Sequence, residues 1–146
     1  MKVLVSACLL GENCKYNGTN NYNEEVIEFI RGCEVTAVCP EVLGGLHVPR
    51  KPAEIVDGVV MTEEGISVDK EFREGAALAF RQALDEKVDI AVLQSRSPSC
   101  GVNQIYDGTF RGKLIEGQGV FAEMLKAVGI KVIDAEDIRN HFAEST

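Results

Sequence analysis

Compact apolar runs alternate with helical stripes along this chain. Residues 2–7 open it with Val3, Leu4 and Val5, an unbroken apolar run that reads as a first strand. Residues 34–38, 90–93 and 131–134 repeat the pattern and read as strands two to four. Between them, apolar positions recur at helical spacing. Asn23 is placed to cap a helix with Glu24 and Glu25 in its first turn, an apolar side of Val26, Ile27, Phe29 and Ile30, and Gly32 at its end. Asp69 is placed to cap the longest helix, which runs to about residue 87 with Phe72, Ala76, Ala79, Phe80, Ala83 and Leu84 as its stripe. Two more helices are predicted over 119–128, closed by Gly129, and over 135–142. Residues 59–61 and 66–68 flank Thr62-Glu63-Glu64-Gly65 and predict a small hairpin. Ile105-Tyr106 and Thr109-Phe110 bracket the tight-turn pair Asp107-Gly108. The alternation implies an α/β fold: a Rossmann-like, mostly parallel sheet flanked by helices, with right-handed crossovers and a small hairpin insertion. No repeat, low-complexity tract or linker interrupts it, so residues 1–146 read as a single domain.

Three cysteines sit just past strand-like runs: Cys8, Cys39 and Cys100. The carboxyl ends of parallel strands share one edge, where ligands of α/β sheets bind, so thiols remote in sequence can meet there. A cysteine beside a strand is commonly just a small buried hydrophobe. Three at strand ends, each beside turn residues, point instead to a soft metal centre. The chain has no CxxC pair, and zinc usually takes four ligands in a closed site. Three equivalent thiols suit a cluster with one open iron at least as well. Cys14, in the long polar loop 9–22, is a candidate fourth ligand; Cys33, at a helix-to-strand turn, reads as a buried structural thiol.

Charge narrows the partners. The net charge is −8, with no cluster of Lys and Arg, so an extended phosphate-tracking surface and bulk nucleic-acid binding are not expected. One nucleotide in a pocket remains compatible. No apolar run is long enough to span a membrane. The N-terminal MKVLVSACLL reads as a strand rather than an export signal. Five cysteines, an odd number, with no export signal imply a reducing, cytoplasmic setting.

Loop residues supply the remaining candidates. Glu41, two positions past Cys39, can relay protons or cap the Pro40 loop. Ser97 and Ser99 can orient a substrate or cap the segment that follows. Arg50 and Arg96 read either as ligands for an anion or carbonyl or as surface ion pairs. Gly44-Gly45 permits close backbone approach. His47 and His141 form no ligand pair by spacing, and no GxGxxG, phosphate loop or Ser-His-Asp signature is present.

Taken in order, SACLLGENCKYNG, CPEVLGGLHVPRKPAEI, SRSPSCG and IYDGTFRGKLIEGQGVFAEML resemble the thiouracil desulfidase family over nearly the whole chain. The resemblance implies an α/β protein with a [4Fe-4S] cluster on Cys8, Cys39 and Cys100, its fourth iron not bound by protein. It further implies Glu41 as proton donor or acceptor and Ser97 as a nearby polar catalytic group, with Ser99 close by as the alternative. Lys15, His47 and Lys51 lie within the motifs as candidates for tuning substrate choice. The implied reaction replaces C=S by C=O in a small thiolated pyrimidine base, nucleoside or nucleotide and releases sulfide. The competing readings are a desulfidase acting on thiouridine in tRNA and a non-catalytic metal or redox sensor.

Overall fold

The structure, a computed structural model, describes residues 1–140. In chain order its elements are β1 (Lys2–Ser6), α1 (Glu24–Phe29), β2 (Glu34–Val38), α2 (Pro40–Leu43), β3 (Ala53–Val56) and β4 (Val59–Thr62). They continue with α3 (Asp69–Asp85), β5 (Ile90–Leu93), β6 (Gln104–Tyr106), β7 (Leu114–Glu116), α4 (Val120–Ala127) and β8 (Lys131–Asp134). Short 3-10 turns follow β1 at Ala7–Leu10 and β8 at Ala135–Asp137.

The four expected strands form one sheet in the order β2-β1-β5-β8, and every pairing is parallel. Successive side chains of a strand point to opposite faces, which divides the core in two. Leu4, Ala91 and Leu93 meet Phe72 and Ala76 of α3 and Phe121 and Leu125 of α4 on one face. Val3, Val5 and Val92 meet Val26 of α1 and Ile138 on the other. The central strands β1 and β5 are covered on both faces and read as continuous apolar runs, whereas edge strand β2 is largely exposed. Strand β1 ends at Ser6, one residue before the expected boundary. In register, Ser6 pairs with Val38 and Val5 with Val92, so the chain leaves β1, β2 and β5 side by side.

One expectation is extended and three need correction. The expected hairpin of 59–61 with 66–68 forms, through the Met61–Ser67 bridge and two bonds of 2.9 Å, Thr62 N–H to the Ile66 carbonyl and Val68 N–H to the Val60 carbonyl. On its other edge β4 pairs with β3, a strand the sequence did not predict. The turn between β3 and β4 is Asp57-Gly58, both at positive φ (48° and 82°), as a two-residue hairpin turn requires. Asp69 does not cap α3. Val68 holds that position, while the Asp69 carboxylate accepts the Val60 N–H at 3.0 Å and pairs with Arg73, tying the helix to β4. Asp107-Gly108 is not a two-residue turn, because β6 pairs with β7 and residues 107–113 form a longer loop. Finally, the Pro40 segment contains the helical turn α2, which starts on a proline because proline's fixed φ suits the first helical position.

That short helix presses backbone to backbone on α3. A methyl group on Gly75 would land on the Pro40 carbonyl oxygen, and one on Gly44 on the Glu71 carbonyl oxygen. The predicted last helix begins as a 3-10 turn and continues helically at 138–140; residues 141 and 142, and with them His141, lie outside the described residues. Among the described residues no helix is long and apolar enough to cross a membrane.

Candidate active site

Cys8 lies on the 3-10 turn after β1, Cys39 immediately precedes α2, and Cys100 lies in the loop after β5. Because β2, β1 and β5 are neighbours, the three thiols line one cavity of about 640 Å³ at the carboxyl edge of the sheet. Cys100 is buried; Cys8 and Cys39 are half-buried. The polar first loop folds back over them: Asn21 donates its backbone N–H to the Cys8 carbonyl at 3.0 Å and its amide to Cys8 Sγ at 3.5 Å. Cys14 also lines the cavity, with its carbonyl 3.9 Å from Cys39 Sγ. Cys33 does not line it, and instead packs, half-buried, beside the Val26 cluster.

Glu41 stands in the same cavity with its two carboxylate oxygens differently engaged. Oε1 accepts from Arg50 Nε at 3.2 Å and Nη2 at 2.9 Å. Oε2 accepts from the Ser99 hydroxyl at 2.8 Å. The side chains of Arg50 and Glu41 are only 10% and 15% exposed, which separates this pair from the surface pairs at Lys51–Glu64 and Arg96–Glu136. Breaking a buried ion pair from one side costs about 3–5 kcal/mol, against at most about 1 kcal/mol at the surface. Arg50 therefore holds Glu41 as part of the fold. The same guanidinium donates to the Cys14 carbonyl at 2.9 Å, and the Arg50 backbone N–H to the Tyr16 carbonyl at 2.7 Å, so one residue fastens the first loop to the second. Sequence spacing gave no sign of this clasp.

The two serines divide their work. Ser97 Oγ accepts the Cys100 N–H at 2.7 Å, an internal turn bond, and lies 3.3 Å from Ser99 Oγ. Ser99 makes the contact to Glu41. Lys15 and Lys51 line the cavity rim; His47 is exposed, does not line it, and contributes only its carbonyl, to Arg50.

Electrostatics distinguish the thiols. A hydrogen bond from the Cys14 thiol, opposed by burial, lowers the Cys39 pKa to about 7. The same bond raises that of Cys14. Burial pushes Cys8 up, and pushes Cys100 up to about 12. In the metal-free protein, iodoacetamide is therefore expected to label Cys39 first. The rate should climb with pH between about 6 and 8, as the thiolate forms, while Cys8 and Cys100 stay protonated and slow. Peptide mass spectrometry reads the order; equal labelling of Cys39 and Cys100 across that range would contradict it.

The donor set suits a soft metal group. Among the described residues no three His, Cys, Asp or Glu side chains close on a single ion. Cys8, Cys39 and Cys100 instead line the wall of one roomy cavity, an arrangement compatible with binding separate irons of a cluster.

Comparison with known proteins places this geometry among relatives. A family model described as 2-thiouracil desulfurase matches residues 3–137. YbbK of Bacillus subtilis (strain 168), itself uncharacterized, is 37% identical over 148 residues, covering 94% of this chain and 98% of its own. The solved structure of the [4Fe-4S]-dependent thiouracil desulfidase TudS superposes with a TM-score of 0.88 at 38% identity, covering 99% of this chain and 97% of that one.

Proposed function

This chain belongs to the 2-thiouracil desulfurase family, and we propose that it is a [4Fe-4S]-dependent desulfidase for a small thiolated pyrimidine. The substrate is a thiouracil-like base, nucleoside or nucleotide, whose C=S becomes C=O. Cys8, Cys39 and Cys100 hold the cluster, and its fourth iron takes no protein ligand. The observation that carries this reading is one cavity shared by three strand-end thiols and a carboxylate gripped by Arg50 and Ser99.

When bound, such a group supplies a soft Lewis acid that polarises the carbon–sulfur bond of the substrate. The chain's own residues handle the protons. Glu41 accepts a proton from the water that attacks the carbon and returns one to the departing sulfur. With Oε1 held by Arg50, Oε2 is the oxygen that faces the Ser99 hydroxyl, so proton traffic runs on that side. Ser97, 3.3 Å from Ser99, extends the hydroxyl pair toward the Cys100 turn. The balance is C=S plus water giving C=O plus hydrogen sulfide, with no external electron donor.

An anaerobic preparation tests the reading directly. It is expected to contain iron and acid-labile sulfide, to absorb in the visible, and to convert 2-thiouracil to uracil with release of sulfide. A full cluster without turnover would leave a sensor instead. In this reading the protein works in a reducing cytoplasm, which its odd number of cysteines supports.

The same reading expects no tight association with bulk tRNA. The net charge of −8 opposes the many phosphate contacts such binding needs. Titration at near-physiological salt should show at most weak binding; a tight, strongly salt-dependent complex would move the substrate to tRNA.

A further inference from the structure

The loop of residues 107–113 enters neither the thiol wall nor the proton path, yet it is fastened to the cavity rim by several bonds. Glu54 of β3 accepts two of its backbone N–H groups with one oxygen, from Gly108 at 3.0 Å and from Phe110 at 3.1 Å. Asp107 accepts the Thr109 N–H at 2.9 Å and the Thr109 hydroxyl at 2.6 Å. Gly108 has φ +91°, and a Cβ there would stand 2.7 Å from the Ile55 carbonyl oxygen. Between these fixings Phe110 is held at φ 58°, a left-handed conformation that is a true outlier for a bulky side chain. Strain of this kind persists where surroundings over-determine it, and it concentrates at ligand clamps. Phe110 lines the same cavity as Cys8, Cys39, Cys100 and Glu41, and it is half-buried there.

We infer that Phe110 is a specificity-determining residue: its ring is the face on which the flat pyrimidine of the substrate stacks. Glu54 is the positioning residue that holds the strained loop so that the ring stays in the cavity. This rests on the function proposed above. Each nucleobase offers a π-face, and base–aromatic stacking is sequence-tolerant, so the device selects planar heterocycles over acyclic thiocarbonyl compounds without reading a particular ring substituent.

The test pairs two substrates with one non-reacting ligand. 2-Thiouracil can stack, thioacetamide offers the same C=S without a ring, and uracil reports binding without chemistry. In the anaerobic, iron-loaded protein, Phe110→Ala is expected to weaken uracil binding and raise KM for 2-thiouracil by about tenfold or more. Its kcat and its iron content should hardly move, and kcat/KM for thioacetamide should not fall. Glu54→Ala should shift the same quantities in the same direction. Glu54→Gln keeps a carbonyl acceptor and should restore them. Phe110→Leu and Phe110→Tyr decide the matter if the alanine variant folds poorly: leucine keeps apolar bulk without a ring, tyrosine keeps the ring. Tyrosine should bind uracil like wild type and leucine about tenfold more weakly. Equal uracil affinity in these two variants overturns the inference while leaving the desulfidase reading intact. Wild-type protein that neither binds uracil nor consumes 2-thiouracil overturns both.

Discussion

Cys39→Ser is expected to abolish iron binding after anaerobic reconstitution, and Cys8→Ser and Cys100→Ser to do the same. All three thiols line the cavity at the ends of adjacent strands, and a hydroxyl is a poor substitute for a thiolate on iron. Cys33→Ser should retain the full complement, because Cys33 does not line that cavity. Cys14 makes the sharper control. It lines the cavity and bonds to Cys39, so Cys14→Ser should disturb the Cys39 environment yet keep iron. Iron and acid-labile sulfide are measured beside circular dichroism, so that unfolding is not mistaken for ligand loss. Full iron in Cys39→Ser would sink the ligand set. Loss of iron in a folded Cys14→Ser would close the position reserved for substrate.

The second large effect belongs to Glu41. Glu41→Gln is expected to keep its cluster and bind thiouracil, while turnover falls by roughly 10²-fold or more, the scale of general acid–base catalysis. Glutamine retains a carbonyl oxygen that accepts from Arg50 but leaves the buried guanidinium without its counter-charge, so folding is checked by circular dichroism in the same samples. Its amide cannot take up a proton at neutral pH. Ser99→Ala should fall less steeply, since a water molecule can replace the hydroxyl at Oε2. Wild-type turnover in an iron-replete Glu41→Gln would return Glu41 to the role of a loop-structuring residue.

What the sequence disclosed follows from what each residue is buried against. The strands 34–38, 90–93 and 131–134 were legible to the residue: Ile90–Leu93 is a fully buried apolar run, and the edge strands β2 and β8 are marked by their Val and Ile between turn residues. So was the Asn23 cap, whose carboxamide accepts from Glu25 and Val26. β3 was missed because Ala-Glu-Ile-Val follows a proline and shows no clear alternation, although its turn, Asp57-Gly58, carries a recognisable hairpin signal. Asp107-Gly108 misled because the identical signal was spent on a loop that turns against Ile55 before the return strand begins. Asp69 has a cap's chemistry, but β4 offered its carboxylate a better partner in the Val60 N–H. At the site, strand-end position sufficed to bring the three cysteines to one cavity. The clasp of Glu41 by Arg50 and Ser99 joins positions 9 and 58 apart, and no local pattern encodes such a meeting.

The glycine crossing of α2 and α3 sets out which parts of this scaffold an engineer can alter. Two helices that touch through bare backbone have no side chains between them to repack, so the piece that carries Glu41 is indexed against α3 like a dowel in its socket. A grafted or redesigned α3 must keep glycine at 75, and the segment facing it glycine at 44, or the dowel backs out and carries the Cys39 corner with it. The outward face of the same helix is under no such constraint. Leu78 and Arg81 are exposed and line neither the crossing nor the cavity. They are the positions from which to tether the protein to an electrode, a resin or a fluorophore without disturbing its geometry.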